Sequence, residues 1–183
     1  MFNNGYENLL VYRLSVTIFD STVTFCNTFL SEMRYRRTVE QMIQAARSGK
    51  QNIVEGSLEK SVESNIKLTG VARASFGELL EDYKDYLRQR ALSLWNKTDS
   101  RVLRIRSYRE NTSNLTNLSN LAHWANLDLE KSSHWANLMI CLLYKENYLL
   151  DQLLRAQERT FVSEGGFREK LFRKRIEYRN KFG

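Results

Sequence analysis

Two clusters of arginine and lysine are the residues of this sequence best suited to binding a ligand. Residues 101–110 carry a net charge of +3 and residues 163–183 a net charge of +4. Together they account for the whole net charge of +7, so the rest of the chain is neutral. Clustered guanidinium groups favour phosphate or an acidic partner, because such contacts release counterions. A solvated helix face is the alternative explanation, and the sequence leaves both open.

A smaller group of arginines precedes the second predicted helix, so the candidate nucleic-acid contacts form three groups. They are Arg34, Arg36 and Arg37, then Arg101, Arg104, Arg106 and Arg109, and finally Arg173, Lys174, Arg175 and Arg179. Tyr108 and Tyr178 lie among these residues and could stack on bases, although packing inside the protein is the favoured interpretation.

Polar residues inside two predicted helices are a second kind of candidate. The run 44–57 places Arg47, Asn52 and Glu55 among small and apolar residues, and the run 70–80 follows with Arg73 and Glu78. A buried charge is costly unless it is paired. The set Asn52, Glu55, Arg73 and Glu78 could shape a binding surface. The favoured interpretation is structural, with Glu55 and Arg73 pairing between helices 2 and 3.

Catalytic and metal-binding patterns are missing from the sequence. The only histidines, His123 and His134, lie in two copies of the pentapeptide HWANL, and neither Cys26 nor Cys141 has basic neighbours. Nucleophilic catalysis needs a nucleophile with an oriented base, and a carboxylate-bridged metal bundle needs Glu-x-x-His on two helices. We therefore expect a protein that is not an enzyme and has no metal or other cofactor.

Composition indicates the elements that position these residues. The chain has 183 residues and no proline, the residue that breaks helices. Apolar residues recur with helical spacing, and four long helices are predicted at about 6–30, 38–58, 62–94 and 133–161. Short basic helices are predicted at about 100–109 and 167–180. The fold class expected is all-α, an antiparallel four-helix bundle with short accessory helices.

A single domain, 1–183, is expected, with three parts: a three-helix core at 6–94, a short basic helix and Asn-rich linker at 95–132, and the fourth helix with its basic C-terminal helix at 133–183. Gly70, Ala74 and Gly77 predict close packing by a neighbouring helix. Gly165 and Gly166 should end helix 4.

The HWANL copies start eleven residues apart, and a new helix starting at Ser132 or Ser133 between them is the favoured interpretation. Apolar runs fall short of the roughly 20 residues that cross a bilayer, and the N-terminus does not resemble a signal peptide. We expect a cytoplasmic protein with no membrane contact.

A family resemblance rests on the two polar helical runs. Asn52, Ile53, Glu55 and Gly56, followed by Ala72-Arg73, Ser75 and Glu78-Leu79, resemble the signature of the bacterial 23S rRNA intervening-sequence proteins. This four-helix-bundle family includes the accessory variability determinant of diversity-generating retroelements. The similarity covers about residues 6–94, and the segment beyond residue 132 looks like a C-terminal suffix that some members carry.

The resemblance implies a non-enzymatic, basic scaffold associated with structured RNA or RNA–DNA, alone or beside a reverse transcriptase. It also implies a homo-oligomer, since many members form ring-like pentamers, and the extension here could cover the surfaces used in such a ring. The alternative function is a protein-interaction bundle whose basic ends dock an acidic partner protein.

Overall fold

The computed structural model describes residues 5–108 and 118–182, and every regular element in these ranges is helical. Short 3₁₀ turns lie at Gly5–Asn8 and Met33–Tyr35. The α-helices are α1 (Leu10–Phe29), α2 (Arg36–Leu58), α3 (Val62–Gln89), α4 (Ser100–Ser107), α5 (Leu118–Ala125), α6 (Ser132–Glu164) and α7 (Phe167–Phe182). The prediction of an all-α protein is confirmed.

Four long helices pack in a ring, α1 against α2 and α6, and α3 against α2 and α6. The contacts between α2 and α3 run in opposite order along the two helices. Ser48 of α2 contacts Ser75 of α3, whereas Gly56, further along α2, lies beside Asn65 near the start of α3. Helices α2 and α3 are therefore antiparallel, and α4, α5 and α7 are accessory helices outside the four long ones.

The core follows the apolar spacing of the sequence. Leu14, Ile18 and Phe25 of α1 are fully buried, as are Phe76 and Tyr83 of α3. The rings of Phe25 and Tyr83 lie 5.0 Å apart between centroids, and the Tyr83 hydroxyl donates a hydrogen bond to Thr22 at 3.2 Å. Burial of these side chains is the main force holding the helices together.

The closest helix approach is not where the small-residue stripe predicts it. A methyl group added at Gly49 of α2 would lie 2.5 Å from the Phe76 ring of α3. Gly70, by contrast, has no atom within 4 Å of that position, and at Gly77 the nearest group is the Arg73 side chain, which is on the same helix. The expected close packing at Gly70, Ala74 and Gly77 is therefore wrong, and Gly49 is the residue that the packing requires to be small.

Helix ends agree with the sequence at some positions and differ at others. Ser61 accepts a hydrogen bond from the Ser64 amide and caps α3, as its residue type predicts. The same helix ends at Gln89 rather than Leu94, because Ala91 adopts a left-handed conformation (φ 52°) and the Leu92 amide bonds the Leu87 carbonyl. Alanine seldom takes this conformation, so its residue type does not predict a helix end here.

The two HWANL copies have different structural roles, and α6 begins at Ser132 between them, as predicted. In the first copy Trp124 is exposed, and Asn126 (φ 55°) follows the end of α5. In the second copy Trp135 packs against Phe29 of α1, and Asn137 is almost fully buried. The same pentapeptide therefore contributes to the surface in its first copy and to the core in its second copy.

The Asn-rich segment is only partly described, and none of the described helices has the properties of a membrane span. The predicted linker lies mostly outside the described residues, but its last part forms α5, which buries Leu121, Ala122 and Ala125. None of the helices described is both long and apolar enough to cross a membrane.

Candidate nucleic-acid interface

The first arginine group surrounds the corner between α1 and α2. Arg34 pairs with Glu32 and Arg36 with Glu40, each at 3.0 Å, while Arg37 lines a groove with acidic residues. The guanidinium of Arg90, at the end of α3, lies 4.8 Å from the Tyr35 ring, as does that of Arg34. Arg90 therefore belongs to the same corner. The positive charges of Arg34 and Arg36 are partly neutralised by their glutamate partners.

Helix α4 starts from a firm cap. The Asp99 carboxylate accepts a hydrogen bond from the Arg101 amide and two more from the Arg101 guanidinium, at 2.7 and 3.0 Å. These bonds lower the pKa of Asp99 to about 2. The same guanidinium lies 3.9 Å from the centroid of the Trp95 ring. Arg101 is thus committed to internal contacts, and it is less available to a ligand than its neighbours.

Arg104 and Arg106 are the exposed cations of α4, and neither pairs with a carboxylate in the described ranges. The main-chain carbonyl of Arg104 accepts a hydrogen bond from the Trp124 indole at 3.3 Å, which ties α5 to α4. Lys97, in the loop before α4, is also exposed. The candidate Arg109 lies outside the described residues.

A pocket of about 480 Å³ opens beneath α4, bounded by the 94–97 loop, α4 and the first turns of α6. Asn137 of α6 holds the loop in place. Its amide nitrogen donates to the Ser93 and Ser133 carbonyls at 3.0 and 2.8 Å, and its oxygen accepts from the Trp95 amide at 2.8 Å. The pocket wall is therefore fixed by a buried, fully bonded side chain.

Cys141 lines the same pocket and is not an activated thiol. Burial raises its pKa to about 11, although the positive charge of Arg106 opposes the rise. A thiol that stays protonated at neutral pH is a poor nucleophile. Arg106 lines the same pocket.

The third basic group lies on α7, which buries no residue. Arg173 bonds the Glu164 carbonyl, and Lys170 pairs with the Glu164 carboxylate at 2.7 Å. Lys174, Arg175 and Arg179 are exposed and form no ion pair in the part of the chain that the structure describes. Their charges are therefore available for binding.

The three groups are divided between the two ends of the bundle. The α1–α2 corner and α4 lie where α3 ends and α6 begins, since Tyr35 contacts Arg90 and the pocket beneath α4 includes Asn137. The start of α7 lies at the other end, where Gly166 approaches Glu63 near the start of α3. The structure brings the first two groups to one end and places the third at the opposite end.

An acidic groove of about 760 Å³ runs between α2 and α3 and includes Glu40, Glu78 and Asp82. Burial, together with the nearby charges of Asp85 and Glu78, raises the pKa of Asp82 to about 6. Phosphate is repelled by such carboxylates, so this groove is a surface unsuited to nucleic acid.

The polar set of the two helical runs is only partly structural. Asn52 donates to the Ser48 carbonyl at 2.8 Å, and the Ser48 and Ser75 hydroxyls bond at 2.9 Å across α2 and α3. Arg73, however, pairs with Asp151 of α6 at 3.0 Å. The expected Glu55–Arg73 pair is therefore wrong.

The Glu55–Arg73 pair does not form because several of these polar side chains lie on the solvent-exposed faces of their helices. Arg47, Glu55 and Glu78 are exposed, so the premise that the polar residues of α2 point into the core does not hold. Glu78 belongs to the acidic groove. Of the predicted set, Asn52 is the residue that helps to connect α2 with α3, through Ser48.

The two candidate tyrosines also differ. Tyr108 packs against the core, with its ring 6.2 Å from that of Trp124, as the favoured packing interpretation predicts. Tyr178 is 67% exposed and contacts Phe182. Of the two, Tyr178 is the one with a ring face open to a base.

Sequence reasoning missed three residues of this site, namely Arg90, Lys97 and Asn137. Arg90 and Lys97 stand outside the dense arginine runs, and the role of Asn137 depends on a loop contact more than forty residues away. The repeated HWANL segment was the one available signal for Asn137. Its two copies gave no indication of which asparagine is buried.

Among the described residues, no group of three or more His, Cys, Asp or Glu side chains could hold a metal ion. No family model, curated protein or solved structure matches the chain. The resemblance to the intervening-sequence proteins therefore remains an expectation.

Proposed function

We propose that this protein is a non-enzymatic helical-bundle scaffold that binds structured RNA, or an RNA–DNA hybrid, through cations at the two ends of its bundle. Its place of action, as the sequence predicts, is the cytoplasm. By the family resemblance it acts alone or beside a reverse transcriptase and forms a homo-oligomer.

One observation carries the proposal: exposed cations without acidic partners form two groups, whereas others, such as Arg47 and Lys67, stand singly along the bundle. Lys97, Arg104 and Arg106 lie at one end, and Lys174, Arg175 and Arg179 lie on α7 beyond the other. Unpaired surface arginine and lysine are well suited to phosphate, because no internal ion pair must break on binding. The acidic groove between α2 and α3 would disfavour binding across that side.

The decisive experiment measures affinity for a structured RNA as a function of salt. The log of the association constant should fall linearly with the log of the salt concentration. The double variant Lys174→Gln/Arg175→Gln should weaken binding at low salt and reduce the salt slope by about two.

A control with the same change in net charge separates local contact from overall charge. The variant Arg34→Gln/Arg36→Gln also removes two positive charges, but both are already paired with glutamates. It should change affinity much less than the α7 variant. Equal losses in the two variants, or affinity that does not depend on salt, would refute the proposal.

A second function is favoured by the apolar surface of α7. Phe172, Tyr178 and Phe182 are each more than 60% exposed, interspersed with basic residues. A helix that combines exposed aromatic and basic side chains suits an acidic partner protein. A partner that stays bound to α7 after nuclease treatment would favour this second function over RNA binding.

A further inference from the structure

The pocket beneath α4 combines features that scaffolding does not need. Its volume of about 480 Å³ falls within the range of about 300–1,000 Å³ typical of small-molecule sites. It opens at the same end of the bundle as the exposed cations of α4. We propose that this pocket binds one nucleotide, holding its base between apolar and aromatic walls and its phosphate at Arg106 and Lys97. The proposal rests on the proposed function, and it names the ligand class at that end.

The walls suit the planar faces of a base. Leu94, Trp95, Val102 and Ile140 line the pocket, and Tyr144 stands among the lining residues with 47% of its surface exposed. The ammonium group of Lys84 lies over the Tyr144 ring, 5.5 Å from its centroid, and the half of the side chain that is exposed offers a surface that a base can cover. Since Asn137 fixes the Trp95 loop, the wall is organised before a ligand binds.

The charges of the pocket suit one phosphate. Arg106 and Lys97 both line it, and neither forms an ion pair within the described ranges. No carboxylate is among the lining residues, so an anion entering the pocket meets two cations and no opposing charge. A guanidinium can donate two parallel hydrogen bonds to a phosphate, which fixes the ligand's orientation as well as its affinity.

Cys141 provides a probe inside the pocket itself. Its thiol lines the site and is only partly buried, whereas Cys26 is 1% exposed in the core. The thiol reacts slowly at neutral pH because its pKa is raised to about 11, so modification is measured at alkaline pH, where its rate in the full chain reports occupancy. Adenosine monophosphate should slow the reaction as its concentration rises. Adenosine and inorganic phosphate, each at the same concentration, should slow it much less.

Matched variants locate the binding groups. Arg106→Gln and Tyr144→Ala should each weaken adenosine monophosphate binding by about tenfold, as the loss of one charge-assisted hydrogen bond or one stacking contact implies. Arg47→Gln also removes one positive charge, at an exposed position of α2 that does not line the pocket, so it should leave the affinity unchanged. Because all three side chains are exposed, the variants should fold, which circular dichroism verifies.

Several results would overturn the proposal. Protection of Cys141 by phosphate alone, equal to that by the nucleotide, would show an anion site without base recognition. Equal protection by adenosine would remove the role of Arg106 and Lys97. An Arg47→Gln effect as large as that of Arg106→Gln would indicate non-specific attraction.

The pocket and the RNA-binding function can fail separately. If structured RNA binds with the expected salt dependence but adenosine monophosphate never protects Cys141, the pocket proposal is wrong and the proposed function stands. If the nucleotide protects but RNA does not bind, the site is one for free nucleotides and the proposed function falls. If RNA and nucleotide both protect Cys141, a base of the RNA enters the pocket.

Discussion

The Arg73 guanidinium donates a hydrogen bond to the Asp151 carboxylate at 3.0 Å and thereby joins α3 to α6. Both side chains keep more than a third of their surface exposed, 37% and 43%. Solvent therefore screens the pair, and its contribution to stability should be small. Its value is geometric, because two charges on facing helices favour one relative position along the bundle.

A double-mutant cycle tests this assignment. Arg73→Gln, Asp151→Asn and the double variant should give a coupling energy of about 0.5 kcal/mol from urea unfolding, as exposed pairs do. High salt should reduce it. A coupling near zero would show that the pair does not persist in solution, and a value several times larger would show that it is better shielded than its exposure indicates.

Substitution of glycine by alanine should have opposite effects on stability at two positions. Gly49→Ala would bring a methyl group against the Phe76 ring, so α2 and α3 must separate, and stability should fall by about 1–3 kcal/mol. Gly70→Ala meets no atom within 4 Å inside a helix, so it should raise stability by up to about 1 kcal/mol. Thermal unfolding of both variants measures the contrast. Similar shifts in the two would mean that α2 and α3 are not this close.

These glycines show what the sequence could and could not predict. Periodicity and the absence of proline were enough for the all-α class and for the long helices, because burial of one apolar face decides where helices form. Which face of each helix packs against which neighbouring helix was harder to predict. A stripe of small residues predicts close packing only if a helix lies opposite, and Gly70 has none.

In the candidate site, too, the sequence predicts some features, and others depend on how the helices pack. Runs of arginine identified α4 and α7 as basic, since charge can be counted in a sequence. Whether each charge is available depends on partners that only the fold brings close, such as Glu40 for Arg36 and Asp99 for Arg101. The pocket beneath α4 joins residues 94–106 to residues 137–144, and no local pattern links these segments.

The HWANL repeat offers a matched pair of asparagine variants. Asn137→Ala would remove three hydrogen bonds and leave groups of the 93–95 loop unpaired, at a cost of about 1–3 kcal/mol. Asn126→Gly, at the same position in the first copy, keeps a left-handed conformation that glycine adopts freely and should be neutral or slightly stabilising. Chemical denaturation distinguishes them. Equal effects would contradict the separate roles of the two copies.

Asp82 should make stability depend on pH between about 4 and 6. Its pKa is raised to about 6 in the folded protein, so the folded state binds its proton more tightly than the unfolded state does. Stability should therefore fall as pH rises through this window and level off above it. Asp82→Asn should flatten that part of the profile in unfolding experiments at fixed ionic strength. A profile unchanged by the substitution would show that Asp82 is solvated like an ordinary surface carboxyl.

Glu146 is the least expected residue of the core. It is fully buried on α6, one turn from the buried Leu142, Leu143 and Leu150, and neither carboxylate oxygen has a hydrogen-bond partner among the described residues. Burial raises its pKa well above the usual range, and the neighbouring charge of Lys145 opposes the rise. The carboxyl is therefore held in its neutral form, because an unpaired buried charge would cost far more.

Replacement of Glu146 should therefore stabilise the protein. The folded state binds this proton more tightly than the unfolded state, so stability should decline as pH rises above about 4.3, the ordinary glutamate pKa, and keep declining toward the raised value. Glu146→Leu removes the titration and two unpaired polar atoms, and at pH 7 it should raise the free energy of unfolding by about 1–3 kcal/mol. Glu158→Gln, at an exposed position of the same helix, is the control and should leave the profile unchanged. If Glu146→Leu instead lowers stability and the decline with pH persists, the carboxyl has a partner in the folded protein.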